Sequence, residues 1–171
     1  MKNFAITVFS LLFPFHLAAQ KDMTLTEHFT IEGLVEREVV ITFDSLMAYP
    51  SEYIDSIVIT NHLGERKSVL HDLKVVPLLV FLKNSPIKVE SPKQLSEFYL
   101  VFEASDGYKV VYSWNELFNS TKGQELYAIM EKDGKRFGDL PDRIAVITPT
   151  DFMTGRRYVK SLSKIKVMRA N

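Results

Sequence analysis

The side chains able to do chemistry are few, and their spacing selects no single reaction. There is no cysteine among the 171 residues. That removes disulfides, thiolate nucleophiles, iron–sulfur ligation and thiolate-bound metals. Beyond the N-terminal stretch the histidines are His28, His62 and His71. His62 and His71 lie on runs that can pair, and Asp72 adjoins His71. Imidazole beside carboxylate is zinc-ligand chemistry, but this spacing matches no diagnostic metal motif, and partly exposed structural histidines account for it more simply. No G-x-S-x-G, G-x-G-x-x-G or phosphate-loop pattern occurs. The carboxylates are scattered, and linear order cannot pair them into an acid–base couple. Asn119-Ser120-Thr121 is formally a glycosylation acceptor, with meaning only in a eukaryotic secretory pathway.

Charge is more informative than motif. From Phe152 to Asn171 stand Arg156, Arg157, Lys160, Lys164, Lys166 and Arg169, with no acidic residue. From Lys21 to Asp55 the balance is reversed: Asp22, Glu27, Glu32, Glu36, Glu38, Asp44, Glu52 and Asp55 face only Lys21 and Arg37. Two readings follow. The stretches attract each other as solvated faces, or the basic stretch holds an anion site. Lys plus Arg and Asp plus Glu are both 21 over the whole chain. A neutral total argues against a nucleic-acid partner, which selects for a strongly basic domain.

The elements that must position these groups begin after an export signal. Lys2 precedes an apolar run from Phe4 to Phe15, and Leu17, Ala18 and Ala19 follow. A positive start, a short apolar stretch and small residues are the order of a secretory signal peptide. Pro14 would damage a buried helix there. Residues 1–19 are therefore read as a signal and residues 20–171 as one domain, periplasmic or secreted. No run of about 20 apolar residues follows, so no transmembrane span is expected. Composition is ordinary for a globular chain, 46% hydrophobic and 25% charged.

Strands outnumber helices. Phe29–Val35, Glu38–Phe43, Ile54–Thr60 and Arg66–Leu73 read as strands, the last two joined through Leu63-Gly64-Glu65. Asp44 is placed to cap a short helix over Ser45–Tyr49, ended by Pro50. Pro77 near a first helical position predicts a helix over Val76–Leu82. Phe98–Ser105 and Tyr108–Ser113 flank Asp106-Gly107, which suits a type I′ hairpin turn. Ser113 stands three residues before Glu116, a capping-box spacing. Leu126–Lys132, Asp133-Gly134 and Lys135–Phe137 repeat the strand–turn theme, and Arg143–Thr148 and Lys164–Met168 close the chain. The expectation is a single mixed, strand-rich α+β domain.

Four blocks, in order, resemble the sulfite-oxidase-like molybdopterin-binding domain family. Leu73-Lys74-Val75-Val76-Pro77-Leu78 resembles its Gly-Val-Pro-Leu helix start. Ser105-Asp106-Gly107-Tyr108 is similar to its Ala-Asp-Gly-Tyr hairpin. Leu126 to Gly134, reading LYAIMEKDG, looks like its LLAYEMNG strand and turn. Pro149 through Val167, with Gly155, Arg157, Val159, Lys160, Leu162 and Ile165, is similar to its closing block. The resemblance spans about Phe29 to Met168. It implies an exported domain holding a molybdenum pterin, in oxidoreductases acting on sulfite or sulfoxides. It also implies that Arg157 and Lys160 meet the phosphate-bearing end of the pterin, with Asn61, His62 and Tyr108 around the same pocket.

The departures from the family bear on function. Its metal ligand is a cysteine in a Cys-Ala-Gly-Asn stretch. This chain reads Ile59-Thr60-Asn61-His62-Leu63-Gly64 there, with Asn61 nearest the ligand position. A thiolate is a soft anionic donor and a neutral amide is a poor substitute. His62 is a displaced imidazole, not an equivalent. Val75 replaces a glycine, and Phe152-Met153-Thr154 adds bulk beside the basic pair. The expectation is a catalytically degenerate pseudoenzyme: a module for a pterin, another small anion or an envelope protein, with no certain cofactor and molybdopterin as the candidate. The alternative is a molybdenum-pterin oxidoreductase of sulfite oxidase or sulfoxide reductase type with altered ligation. Exported material is expected to begin at Gln20, and an intact mass retaining Met1 or Lys2 would show that the leader is not removed.

Overall fold

Strict alternation along Phe98–Ala104 shows how the larger core is built. In this computed structural model, which describes residues 22–170, Phe98, Leu100, Phe102 and Ala104 are buried while Tyr99, Val101 and Glu103 are half-exposed. A period of two puts one face of a strand inward. The signal expected over residues 1–19 lies outside the described residues. This strand, β5 in chain order, belongs to a five-stranded sheet with β1 (His28–Gly33), β2 (Val39–Thr42), β6 (Lys109–Ser113) and β10 (Leu162–Arg169). The spatial order is β2-β1-β10-β5-β6, and β1 and β10 run parallel while the other neighbours are antiparallel. The acidic and basic stretches therefore meet, and Lys164 pairs with Glu32 at 3.7 Å.

A second sheet carries β3 (Glu52–Thr60), β4 (Arg66–Pro77), β7 (Tyr127–Lys132) and β8 (Lys135–Arg136) in that order, with β9 (Ala145–Ile147) on the other side of β7. Ala128, Ile129 and Met130 are all buried. Ala128 and Met130 join the larger core against the first sheet. Ile129 joins a smaller core with Ile57, Ile59, Leu73, Val75 and Tyr158. The second sheet is thus apolar on both faces around β7 and β9, which explains why residues 128–130 and Ala145–Ile147 are continuous apolar runs.

The helices α1 (Phe43–Met47), α2 (Leu79–Lys83) and α3 (Trp114–Phe118) have five residues each. Helices this short are not stable alone and depend on caps and packing. The mixed, strand-rich α+β expectation agrees with this architecture, with three local corrections. Asp44 does not cap α1. Thr42 does, its hydroxyl accepting from the Ser45 amide at 3.2 Å. The helix expected at Val76 starts at Leu79, because Val76 and Pro77 still pair with Ala128 and Tyr127 of β7. A proline is tolerated at a strand end, where its missing donor interrupts little of the ladder. The type I′ geometry expected at Asp106-Gly107 is found instead at Asp133-Gly134, whose φ values are 51° and 72°. There β7 and β8 close over two residues. At the first hairpin only Gly107 has positive φ, and the Asp106 carboxylate accepts from the Tyr108 amide at 2.9 Å.

The reassigned cap is testable by chemical denaturation. Thr42→Ala is expected to lose about 1 kcal/mol, and Asp44→Ala only a few tenths, since it touches only the helix dipole.

Candidate functional site

The β3–β4 hairpin turn places Asn61 and His62 at one end of the second sheet. Asn61 is bound into its own turn. Its side-chain oxygen accepts from the Leu63 and Glu65 amides at 2.8 and 3.0 Å, and its amide nitrogen donates to Glu65 at 2.7 Å. An Asx residue in this geometry substitutes for backbone turn bonds. His62 is exposed at the turn. Val75 is fully buried in β4, inside the smaller core rather than lining a pocket.

The segment after β9 returns over this hairpin. A 3-10 turn, Thr154–Arg157, docks on the end of β3. The buried Thr154 hydroxyl accepts from the Thr60 amide at 3.0 Å and donates to the Val58 carbonyl at 2.7 Å. A Cβ on Gly155 would lie 2.1 Å from the Thr60 carbonyl oxygen, so only glycine permits this approach. Beside the dock is an open cleft of about 330 Å³, bordered by Val58, Thr60, Pro149 and Phe152. The Phe152 ring is 98% exposed at its mouth.

Arg157 leaves this turn and points between the two sheets. Its guanidinium forms a two-pronged pair with Asp151, with Nε donating to Oδ2 at 2.6 Å and Nη2 to Oδ1. Nη1 donates to Glu116 of α3. The guanidinium carbon stands 4.5 Å from the centre of the Tyr112 ring on β6. Asp151 raises the arginine's proton affinity above its already high ordinary value; burial opposes this and Glu116 adds to it. One cation thus faces two carboxylates, with a donor on each of its three nitrogens engaged. Ser113 caps α3 as its spacing predicts, accepting from the Glu116 amide at 3.1 Å, while the Glu116 carboxylate turns to Arg157. Tyr112 is buried, its hydroxyl 3.2 Å from the Thr148 hydroxyl, and burial pushes its phenol up to about 12.

Lys160 lies farther along the same segment. It is exposed, with its ammonium 5.2 Å from the centre of the Tyr158 ring. Tyr158 belongs to a buried polar cluster absent from the sequence reading. Lys132 Nζ donates to Asp142 Oδ2 and to the Tyr158 hydroxyl, both at 2.7 Å, and Tyr158 donates to the same Asp142 oxygen at 2.6 Å. Asp142 is 2% exposed, and its Oδ1 is without a hydrogen-bond partner. Burial, followed by the charge and hydrogen bond of Asp142, raises the Tyr158 phenol far above its ordinary value. Tyr108 is partly exposed and donates to the Arg156 carbonyl at 2.6 Å, which ties the first hairpin to the docked turn.

The structure therefore gathers the neighbourhoods of Asn61, His62, Tyr108 and Arg157 around the docked turn. Asn61, Tyr108 and Arg157 already have protein partners; Lys160 stands over Tyr158. Sequence reading did not find Glu116 and Asp151 as the partners of Arg157. Asp151 lies one residue before the purely basic stretch, and Glu116 had a cap role that masked it. His71 is on β4, and Asp72 accepts from the Tyr53 hydroxyl at 2.8 Å.

No protein-family model matches the chain, and no curated protein matches it in sequence. Solved structures do. The chain is similar to a chain of the sulfane dehydrogenase SoxCD from Paracoccus pantotrophus, with 16% identity and a TM-score of 0.59. The likeness covers 85% of this chain and 39% of that chain, so this chain spans about two fifths of its length. At this identity the likeness is one of fold.

Two outcomes follow from the geometry. Arg157→Ala leaves two carboxylates facing each other and is expected to lose about 3 kcal/mol in urea unfolding. Lys160→Ala removes only an exposed cation from a ring face and should lose less than about 1 kcal/mol. Separately, Tyr112 and Tyr127 are both held at about 12, burial being the first cause for each. The unfolded chain ionises these phenols near 10. Their contribution is thus complete below about pH 10 and is lost as pH rises toward about 12. Ultraviolet titration should show Tyr112 and Tyr127 ionising well above the unfolded-chain value, the buried Tyr112 only as the fold melts.

Proposed function

We propose that this chain is a sulfite-oxidase-like domain that has left oxo-transfer catalysis and serves as an exported binding or assembly module, periplasmic or secreted. The observation that carries this reading is the pairing of Arg157 with two carboxylates. The family resemblance assigns that position to the phosphate end of a pterin. Here Asp151 and Glu116 already engage a donor on each of its three nitrogens. A phosphate arriving there would meet two carboxylates on one guanidinium and would have to displace at least one of them.

The donor set likewise does not fit a molybdenum centre. The chain has no thiolate. At the ligand position Asn61 offers a neutral amide, and its oxygen already accepts two backbone hydrogen bonds. The fold likeness to a sulfane dehydrogenase chain supports the family resemblance, and it is also the one observation favouring a working molybdenum oxidoreductase as the second reading. What remains for a module of this fold is recognition of a small anion or of an envelope protein.

The deciding experiment is expression in a host able to synthesise molybdenum cofactor. Purified protein is expected to carry neither molybdenum nor pterin at stoichiometric level. It is expected to turn over neither sulfite nor methionine sulfoxide with a dye electron carrier. Turnover that tracks bound molybdenum and disappears in Asn61→Ala or His62→Ala would overturn the proposal.

A further inference from the structure

The opposite end of the second sheet carries a second, differently built cleft. Glu52 and Thr60 bound the nine residues of β3. At about 3.3 Å per residue, the two ends are roughly 26 Å apart. The cleft has a volume of about 450 Å³ and lies between α1 and the β7–β8 hairpin. That is within the size range of small-molecule sites. Val76 and Met130, nearly fully buried, lie beneath its floor, and its accessible apolar wall is Tyr49 and Phe43, the latter stacked on Phe137 with ring centres 3.8 Å apart. Met47 stands at the mouth, 61% exposed.

Its rim is a row of charges fixed by strand register. Lys74 of β4 is opposite Glu131 of β7, and Glu131 is opposite Arg136 of β8. Lys74 and Glu131 form an ion pair at 3.5 Å. Among the described residues no carboxylate lies within ion-pair distance of Arg136. Lys74 takes Glu131, which leaves the Arg136 guanidinium at this rim without a carboxylate partner. The neighbouring lobe adds the negative charges of Glu52 and Asp72; each accepts a tyrosine hydroxyl, from Tyr127 at 2.9 Å and Tyr53 at 2.8 Å, and neither is within ion-pair distance of Arg136.

The geometry points to a binding site for a small organic acid, with one carboxylate at Arg136 and an apolar body against Phe43 and Met47. Arginine suits this because its fork takes a carboxylate through two parallel donors. A neutral body of the same shape gains the apolar contacts alone. The site is independent of the Arg157 region and of the reading given to it.

The test uses 4-phenylbutyrate, 4-phenylbutan-1-ol and 4-phenylbutylamine as probes, by calorimetry and amide chemical shifts on residues 20–171. The acid should bind saturably and about tenfold more tightly than the alcohol, with the amine no tighter than the alcohol. Shifts should centre on β8 and α1. Arg136→Gln should erase the difference between acid and alcohol. Gly138→Trp should block both, since a Cβ there meets open space and the ring fills the cleft. Both positions are exposed, so neither variant should lower the melting temperature. The proposal is overturned by an absence of saturable binding, by equal affinity for acid and alcohol, by a preference that survives Arg136→Gln, or by shifts centred on Arg157 and Lys160.

Discussion

Arg157 is the joint on which the arrangement of the two sheets rests. It comes from the turn docked on β3 of the second sheet. Its partners reach back to the first: Tyr112 on β6 and Glu116 on the helix that follows. Asp151, from its own segment, completes the fork. A guanidinium that is largely removed from water needs such partners, because an unpaired charge there is expensive. The same requirement explains why the docked turn is held so closely. Thr154 bonds both Val58 and Thr60, and Gly155 lets the backbones touch.

That joint also constrains function. A cation shared between two carboxylates is a structural element first and an anion receptor only if it is released. The Asn61 turn has the same character, since its side chain replaces backbone hydrogen bonds that the hairpin would otherwise lack. In both places a side chain that could meet a ligand is engaged by the protein itself. The Lys132–Asp142–Tyr158 cluster extends the theme, with an ion pair buried under the return segment and one carboxylate oxygen unpaired. The second cleft is different in kind. Its charges are set by cross-strand register at an open rim, and its interior remains apolar.

The sequence by itself determined the local elements and the class. Alternation marks β5, β-branched runs mark β3 and β4, and Ser113 three residues before Glu116 marks the start of α3. Each signal is local, a matter of periodicity or of one side chain reaching its own backbone. Where local signals competed with tertiary ones, tertiary ones prevailed. Val76 and Pro77 read as a helix start but pair with β7, because the strand ladder continues to them. Asp106-Gly107 reads as a type I′ turn, and there a second local signal prevailed instead, the Asp106 carboxylate accepting from the Tyr108 amide. The four blocks of resemblance offered an expectation that periodicity could not, since they encode order along the chain, and a chain of 16% identity is similar to this one in fold. The partners of Arg157 were not legible. Glu116 is 41 residues away in sequence, and nothing in linear order distinguishes a carboxylate that faces an arginine from one that faces water. The cleft at Arg136 was equally hidden, because it exists only through the register of three strands. Composition and spacing fix which groups the chain possesses. Only the tertiary structure decides which of their charges are already neutralised, because that depends on contacts between segments far apart in sequence.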